Sequence, residues 1–176
     1  MKKAFNITVI FLLFLVVDLL ALAFLIGYRI NMTDSYPLGI YQLTDDAVNK
    51  GDLILYCPPD TELFHEAQER GYFSYGLCSG FLSPLAKKLA ALPGDHVRSS
   101  NEGIYINGVL QTNSHALTQD SGGRVLEPVS INDVLTNNTI FILSDFNPGS
   151  FDSRYFGAVP YDGIQGVIRP VWTWKE

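Results

Sequence analysis

The residues best suited to chemistry are a serine in the turn Ser35-Tyr36-Pro37-Leu38-Gly39 and two lysines, Lys87 and Lys88, inside the otherwise apolar run from Leu85 to Leu92. A serine hydroxyl is a poor nucleophile at neutral pH. An active Ser35 therefore needs a base within hydrogen-bond reach and donors for the oxyanion that its attack creates. A lysine packed among apolar groups loses solvation of its charged form, which lowers its pKa and leaves a neutral amine able to take a proton. In a strand, neighbouring side chains point to opposite faces, so at most one of the two lysines enters a given cleft. The alternation leans slightly to Lys87, which shares a side with Leu85 and Leu89. The plainer readings are an ordinary loop for Ser35 and an edge strand guarded by charge for the lysines. His65, His96 and His115 offer a rival base, but no motif brings any of them to Ser35.

The elements that must position these groups begin with an apolar run, Val9 to Ile26, interrupted only by Asp18 and preceded by Lys2 and Lys3. Its length suits a membrane-spanning helix, and the lysines would keep its N-terminus cytoplasmic. The competing reading is a removed signal peptide cut near Ala21-Leu22-Ala23, against which the run continues past Ala23 and no polar segment precedes the site. Asp18 is costly in a bilayer, at about 2.5 to 3.5 kcal/mol, and is expected either to face another helix or to ride protonated. The chain then divides into a cytoplasmic tip and anchor over 1–28 and an extracytoplasmic domain over 29–176, a usual domain size. Ser35 follows Tyr28 by only seven residues, a reach of roughly 23 to 25 Å. The hydroxyl is thus held near the lipid surface, and a membrane-attached substrate is expected. The net charge of −6 argues against a nucleic-acid partner, whose phosphates need a basic face.

Short strands dominate the rest. Gly39 to Leu43 and Asp52 to Cys57 read as strands, and Thr61 to Arg70 as a brief helix capped by Asp60, stopped at Gly71, with Leu63, Phe64 and Ala67 on one side. Asn107-Gly108 suits the type I′ turn of a hairpin over 103–111. Thr112 to Ser130 is a polar excursion that either is mobile or lines a substrate groove. Thr139 to Leu143 is a buried-strand candidate, followed by a polar loop from Ser144 to Gly157, and Gly163 to Trp174 is the last strand, with Trp172 and Trp174 expected in core or interface packing. The expected class is mainly β. Outside the cytoplasm Cys57 and Cys78 are expected to pair, closing a loop of about 22 residues. Two cysteines with irregularly placed histidines suit neither a metal site nor redox work, and no cofactor is expected.

Taken together, Ser35-x-Pro37, Lys50-Gly51-Asp52, Lys87-Lys88 ahead of Pro93-Gly94-Asp95, and Ser150-x-Asp152-Ser153-Arg154 followed by Gly157 and Val159-Pro160 resemble, in chain order, the boxes of the type I signal peptidase family of serine-lysine proteases. The pattern Asn-x-Thr-x-Ser-x-Pro-x-Gly-(Leu/Ile)-Tyr over Asn31 to Tyr41, with Cys57-Pro58-Pro59, Arg70-Gly71-Tyr72 and Gly76-x-Cys78, is similar to its conjugative-transfer, TraF-type branch. The resemblance implies a signal-peptidase-like β fold behind one N-terminal transmembrane helix. Within it Ser35 would be the nucleophile and Lys87 the general base. Thr33 and the Ser35 amide would form the oxyanion hole, Ser150 would orient the lysine, and Lys88, Asp152 and Arg154 would support the site. It further implies a membrane-attached pilin or preprotein substrate, partners in the conjugative transfer machinery, a periplasmic catalytic side at the bacterial inner membrane, and cleavage with possible cyclisation of the pilin. Two departures stand out. Ser144-Asp145-Phe146 replaces Gly-Asp-Asn at the start of the last box, and Gly149 replaces Asn before Ser150. A general signal peptidase, or a non-enzymatic pilus assembly factor that keeps the fold, are the alternatives.

Overall fold

A computed structural model describes residues 2–174, with the side chains of residues 2–5 and 8 outside the described set. Helix α1 runs over Lys2–Leu25. Eleven strands follow: β1 Tyr28–Asn31, β2 Gly39–Thr44, β3 Leu53–Tyr56, β4 Leu85–Ala91, β5 His96–Ser100, β6 Gly103–Ile106, β7 Val109–Leu110, β8 Asn132–Val134, β9 Thr139–Leu143, β10 Val159–Pro160 and β11 Ile164–Thr173. Two short helices interrupt them, α2 over Glu62–Glu69 and α3 over Ser153–Phe156. The mainly β expectation holds. The anchor is a different matter: among the described residues no helix is long and apolar enough to cross a membrane, and the side chains of Lys2 and Lys3, its expected cytoplasmic flank, lie outside the described residues.

All strand pairs are antiparallel. A seven-stranded sheet has the order β1-β2-β11-β3-β4-β9-β10 and a four-stranded sheet the order β7-β6-β5-β8. This order explains the apolar lysine run: β4 lies between β3 and β9, so both of its edges are paired, and six of its seven residues are buried. An edge strand guarded by lysines is therefore not what these residues form. One core packs α2 on the large sheet through Phe64, Ala67, Leu82, Leu89 and Ile142, and a second joins Val97, Ile104 and Ile106 of the small sheet to Ala91, Phe141 and Leu143.

The turn that holds Ser35 connects β1 to β2, closed by the register pair Asn31 and Gly39. Gly39 is required there, because a β-carbon would stand 2.3 Å from the Trp172 carbonyl oxygen of β11. At the tip of the small sheet Asn107 and Gly108 both take positive φ, 49° and 82°, as a type I′ turn demands.

Several expectations are corrected. Helix α2 has Thr61 as N-cap without a side-chain cap bond, because the Asp60 carboxylate bonds His65 Nε2 at 2.6 Å instead, and Leu63 is exposed while Phe64 and Ala67 are buried. Trp172 and Trp174 are 65% and 51% exposed and pack edge to face on each other. This exposure overturns the core half of that expectation; strand β3 accompanies β11 only through Val167, so the outer half of β11 runs beside β2 alone. The polar excursion bonds the end of α2 and the residues after it: Arg70 Nη1 donates to the Val125 carbonyl at 3.1 Å, Arg124 Nη2 to the Arg70 carbonyl at 2.7 Å, and Tyr72 Oη to Asp120 at 2.8 Å.

The disulfide joins Cys57, just past β3, to Cys78. It ties the loop that follows α2 to the large sheet. Cys78→Ser paired with Cys57→Ser should lower unfolding stability by about 3 kcal/mol, the chain-entropy value for a loop of this length. Urea unfolding under non-reducing conditions checks it; an unchanged midpoint would mean that packing around Phe73 and Leu82 holds the loop unaided.

Candidate active site

The serine turn and strand β4 meet. Lys87 Nζ donates to Ser35 Oγ at 2.7 Å and to Ser150 Oγ at 2.6 Å, and Ser150 Oγ donates to Ser35 Oγ at 3.1 Å. Lys87 is 2% exposed and stands opposite Ile54 in the sheet register. Burial pushes its pKa down to about 8, with the Asp152 carboxylate opposing that shift and Arg154 adding to it. The neutral amine, still the minor form at pH 7, is then far more populated than in a solvated lysine. Lys88, on the other face, pairs with Asp145 at 2.8 Å. The histidines stand elsewhere: His65 bonds Asp60, His115 the Asn101 carbonyl, and His96 opens β5 of the small sheet.

Ser150 owes its place to a buried ion pair. Asp152 and Arg154 have fully buried side chains and face each other through two bonds, Nε to Oδ1 at 2.7 Å and Nη2 to Oδ2 at 2.8 Å. Arg154 also donates to the backbone carbonyls of Ser150 at 2.8 Å, Pro148 at 2.7 Å and His115 at 2.9 Å. The planar guanidinium thus gathers the loop around Ser150. Burial alone would lower the Arg154 pKa, but the Asp152 carboxylate raises it on balance. Asp152 caps α3 through the Arg154 amide and accepts from the Ser144 amide at 2.9 Å.

Residues that the sequence did not single out complete the cradle. Ser144 Oγ donates to the Ser35 carbonyl at 2.6 Å, and Asn147 Nδ2 donates to the Asp34 carbonyl at 3.0 Å. Ser144 stands at one of the two departures from the general signal-peptidase pattern, which was the available signal; a glycine there has no hydroxyl to offer. Tyr36 Oη donates to Asp145 at 2.7 Å, so Asp145 receives both the residue after Ser35 and the residue after Lys87. Burial, then the Asp145 carboxylate, raise the Tyr36 pKa and keep its proton in place. Burial would raise the Asp145 pKa, but Lys88 and Tyr36 outweigh it and hold the carboxylate below its usual range.

Thr33 lies two residues before the serine, and its hydroxyl donates to Asn31 Oδ1 at 2.9 Å. A groove of about 360 Å³ reaches Thr33, walled by Ile30 and Met32 of the serine segment, Ala86 of β4, Ile168 of β11, and Tyr75 and Leu77 of the disulfide-tied loop. It is mostly apolar and could take an extended peptide. Residues 112–130 do not line it. Among the described residues no His, Cys, Asp and Glu group is arranged to hold a metal ion.

A family model described as signal peptidase, peptidase S26, matches residues 2–174. The conjugal transfer protein TraF of Agrobacterium tumefaciens (strain 15955) is 42% identical over 149 residues, covering 84% of this chain and 83% of that protein. The plasmid transfer protein TraF of Escherichia coli is 38% identical over 149 residues, 84% of each chain. Signal peptidase I V of Bacillus subtilis (strain 168) is more distant, 29% identical over 92 residues, 48% of this chain and 55% of that one.

Proposed function

We propose that this chain, which belongs to the signal peptidase family, peptidase S26, is a serine endopeptidase using Ser35 as nucleophile and Lys87 as general base to mature a conjugative pilin. The observation that carries the reading is the 2.7 Å bond between Ser35 Oγ and an amine that is buried and shifted toward neutrality. Neutral Lys87 takes the hydroxyl proton as Ser35 Oγ attacks a peptide carbonyl carbon. The carbonyl oxygen becomes an anion that the Ser35 amide and the reoriented Thr33 hydroxyl stabilise. Lys87 then returns the proton to the departing amine, leaving an acyl-enzyme. Water releases a cut product by the same proton route; an α-amine of the same substrate, attacking in place of water, joins the peptide ends into a ring. Relatives named for conjugal transfer support the pilin as substrate over a secreted preprotein.

In this reading α1 is the membrane anchor. Support comes from the run Val9 to Leu25, apolar except for Asp18, from the 24-residue length of α1, about 36 Å at the helical rise, and from the exposure of Leu13, Phe14, Val17 and Leu20, each more than half exposed. With Lys2 and Lys3 on the cytoplasmic side, the domain from residue 29 onward stands in the periplasm against the lipid and next to the conjugative machinery. Asp18→Leu tests the helix separately: it should impair work on membrane-borne pilin and spare a soluble peptide, whereas equal effects on both would discard a role for Asp18 in partner helices.

Incubating a candidate pilin with wild-type and Ser35→Ala protein and weighing the products tests the whole reading. The wild type should yield a trimmed chain or one lighter by a single water, and Ser35→Ala neither. Intact pilin with both proteins would favour the non-enzymatic assembly factor, and processing by both would remove Ser35 from the chemistry.

A further inference from the structure

We propose that Asn31 is the positioning residue of the nucleophile turn, a role that rests on the serine-lysine reading above and adds a residue to it. Asn31 ends β1 at the base of the turn, paired with Gly39 across the ladder. Its carboxamide reaches into the turn. Nδ2 donates to the carbonyls of Thr33 at 3.0 Å, Tyr36 at 3.0 Å and Pro37 at 3.1 Å, while Oδ1 accepts from the Thr33 amide at 3.1 Å and the Thr33 hydroxyl at 2.9 Å. The two hydrogens of Nδ2 serve three carbonyls, so one is shared. These partners lie on both sides of Ser35, and the serine is carried over the carboxamide as over a last.

The chemistry singles out asparagine. The frame needs a planar group with donor and acceptor side by side at the reach of one methylene. Aspartate keeps the acceptor and turns its other oxygen on three carbonyl oxygens. Glutamine is a methylene too long, and serine too short. The same turn is also held by Ser144 at the Ser35 carbonyl, Asn147 at the Asp34 carbonyl and Tyr41 Oη at the Pro37 carbonyl; Asn31 binds it on both sides of Ser35 while also holding the Thr33 proton. Asn31 therefore sets two distances at once, Ser35 Oγ to Lys87 Nζ and Thr33 Oγ1 to the place where the oxyanion forms. The Thr33 proton parks on Asn31 and transfers its bond to the oxyanion only as charge develops, which lowers the barrier more than it tightens binding.

The test uses the full-length protein in detergent with a soluble peptide spanning the pilin cleavage site, measuring kcat, KM and thermal midpoint for Asn31→Ala and Asn31→Asp, alone and with Thr33→Ala. Both single variants should lose about 10²-fold in kcat, the scale of a misplacement of about 1 Å, with KM changed by less than about two-fold. Adding Asn31→Ala to Thr33→Ala should cost less than the product of the separate losses, because one acts partly through the other. Should Asn31→Ala fail to fold, Asn31→Asp decides, being of the same size and keeping the Thr33 acceptor. Wild-type kcat in Asn31→Asp overturns the proposal, as do losses that multiply in full or fall on KM alone. Turnover that survives Ser35→Ala sinks the serine-lysine reading itself; a dead Ser35→Ala beside a fully active Asn31→Asp sinks only the role of Asn31.

Discussion

Lys87→Met should lower kcat on a soluble substrate peptide by about 10³-fold or more, near the upper range for removing a general base, and should do so while making the protein more stable at neutral pH. Both outcomes have one cause. The amine is 2% exposed, and burial lowers its pKa from 10.5 to about 8. In the folded wild type, kcat/KM should therefore rise as pH rises through about 8 and level off above it, as the protonated, inactive amine is replaced by the neutral base.

The stability sign follows from the same shift. Between about 8 and 10.5 the unfolded chain binds the lysine proton more tightly than the native one, so unfolding free energy increases with pH across that window. Below it the folded protein carries a penalty of about 3 kcal/mol for charging a buried amine, from about 1.4 kcal/mol per pKa unit. Methionine, of similar length and without charge, removes the penalty; loss of the bonds to Ser35 and Ser150 offsets part of the gain, although those hydroxyls still bond each other. Urea unfolding of both proteins at pH 7 and pH 10.5 reads the difference. The advantage of Lys87→Met should shrink as pH rises. A gap that stays constant or widens would mean that the amine is solvated and not tuned, and full activity in Lys87→Met would remove it from the chemistry.

Arg154→Ala should be the most destabilising single change in the site, at about 3 to 5 kcal/mol, the usual loss on breaking a buried ion pair from one side. It strands the Asp152 carboxylate in the core and releases the carbonyls of Ser150, Pro148 and His115 together. The protein that remains folded should also turn over more slowly, because the loop that sets Ser150 against Lys87 has lost its clasp. Arg154→Lys should rescue little, since a single ammonium does not reproduce the planar fork. Denaturant unfolding together with kcat per folded molecule checks both halves. A loss under about 1 kcal/mol would show that the loop is held by its other bonds.

The residue pattern makes the elements and much of the chemistry readable: a mainly β chain, a disulfide from Cys57 to Cys78, the buried strand Thr139 to Leu143, and the hairpin at Asn107-Gly108. These are legible because alternation, turn residues and cysteine pairing are local or nearly so. It also placed Ser35 and two lysines in motifs, but periodicity alone only leaned toward Lys87; the resemblance chose it, and the sheet gives the physical reason by burying one face of β4 against the serine turn and pairing Lys88 with Asp145 on the other. What surrounds the amine is set by long-range packing. Ser144, Asn147 and Asn31 matter through bonds to backbone atoms of the serine turn; a motif or a departure from one marks the residue but not the carbonyl it reaches. The same limit hid that Trp172 and Trp174 lie outside the core. Their alternation is that of a strand, but whether a second layer covers that face depends on what packs across the sheet, which no pattern within β11 records.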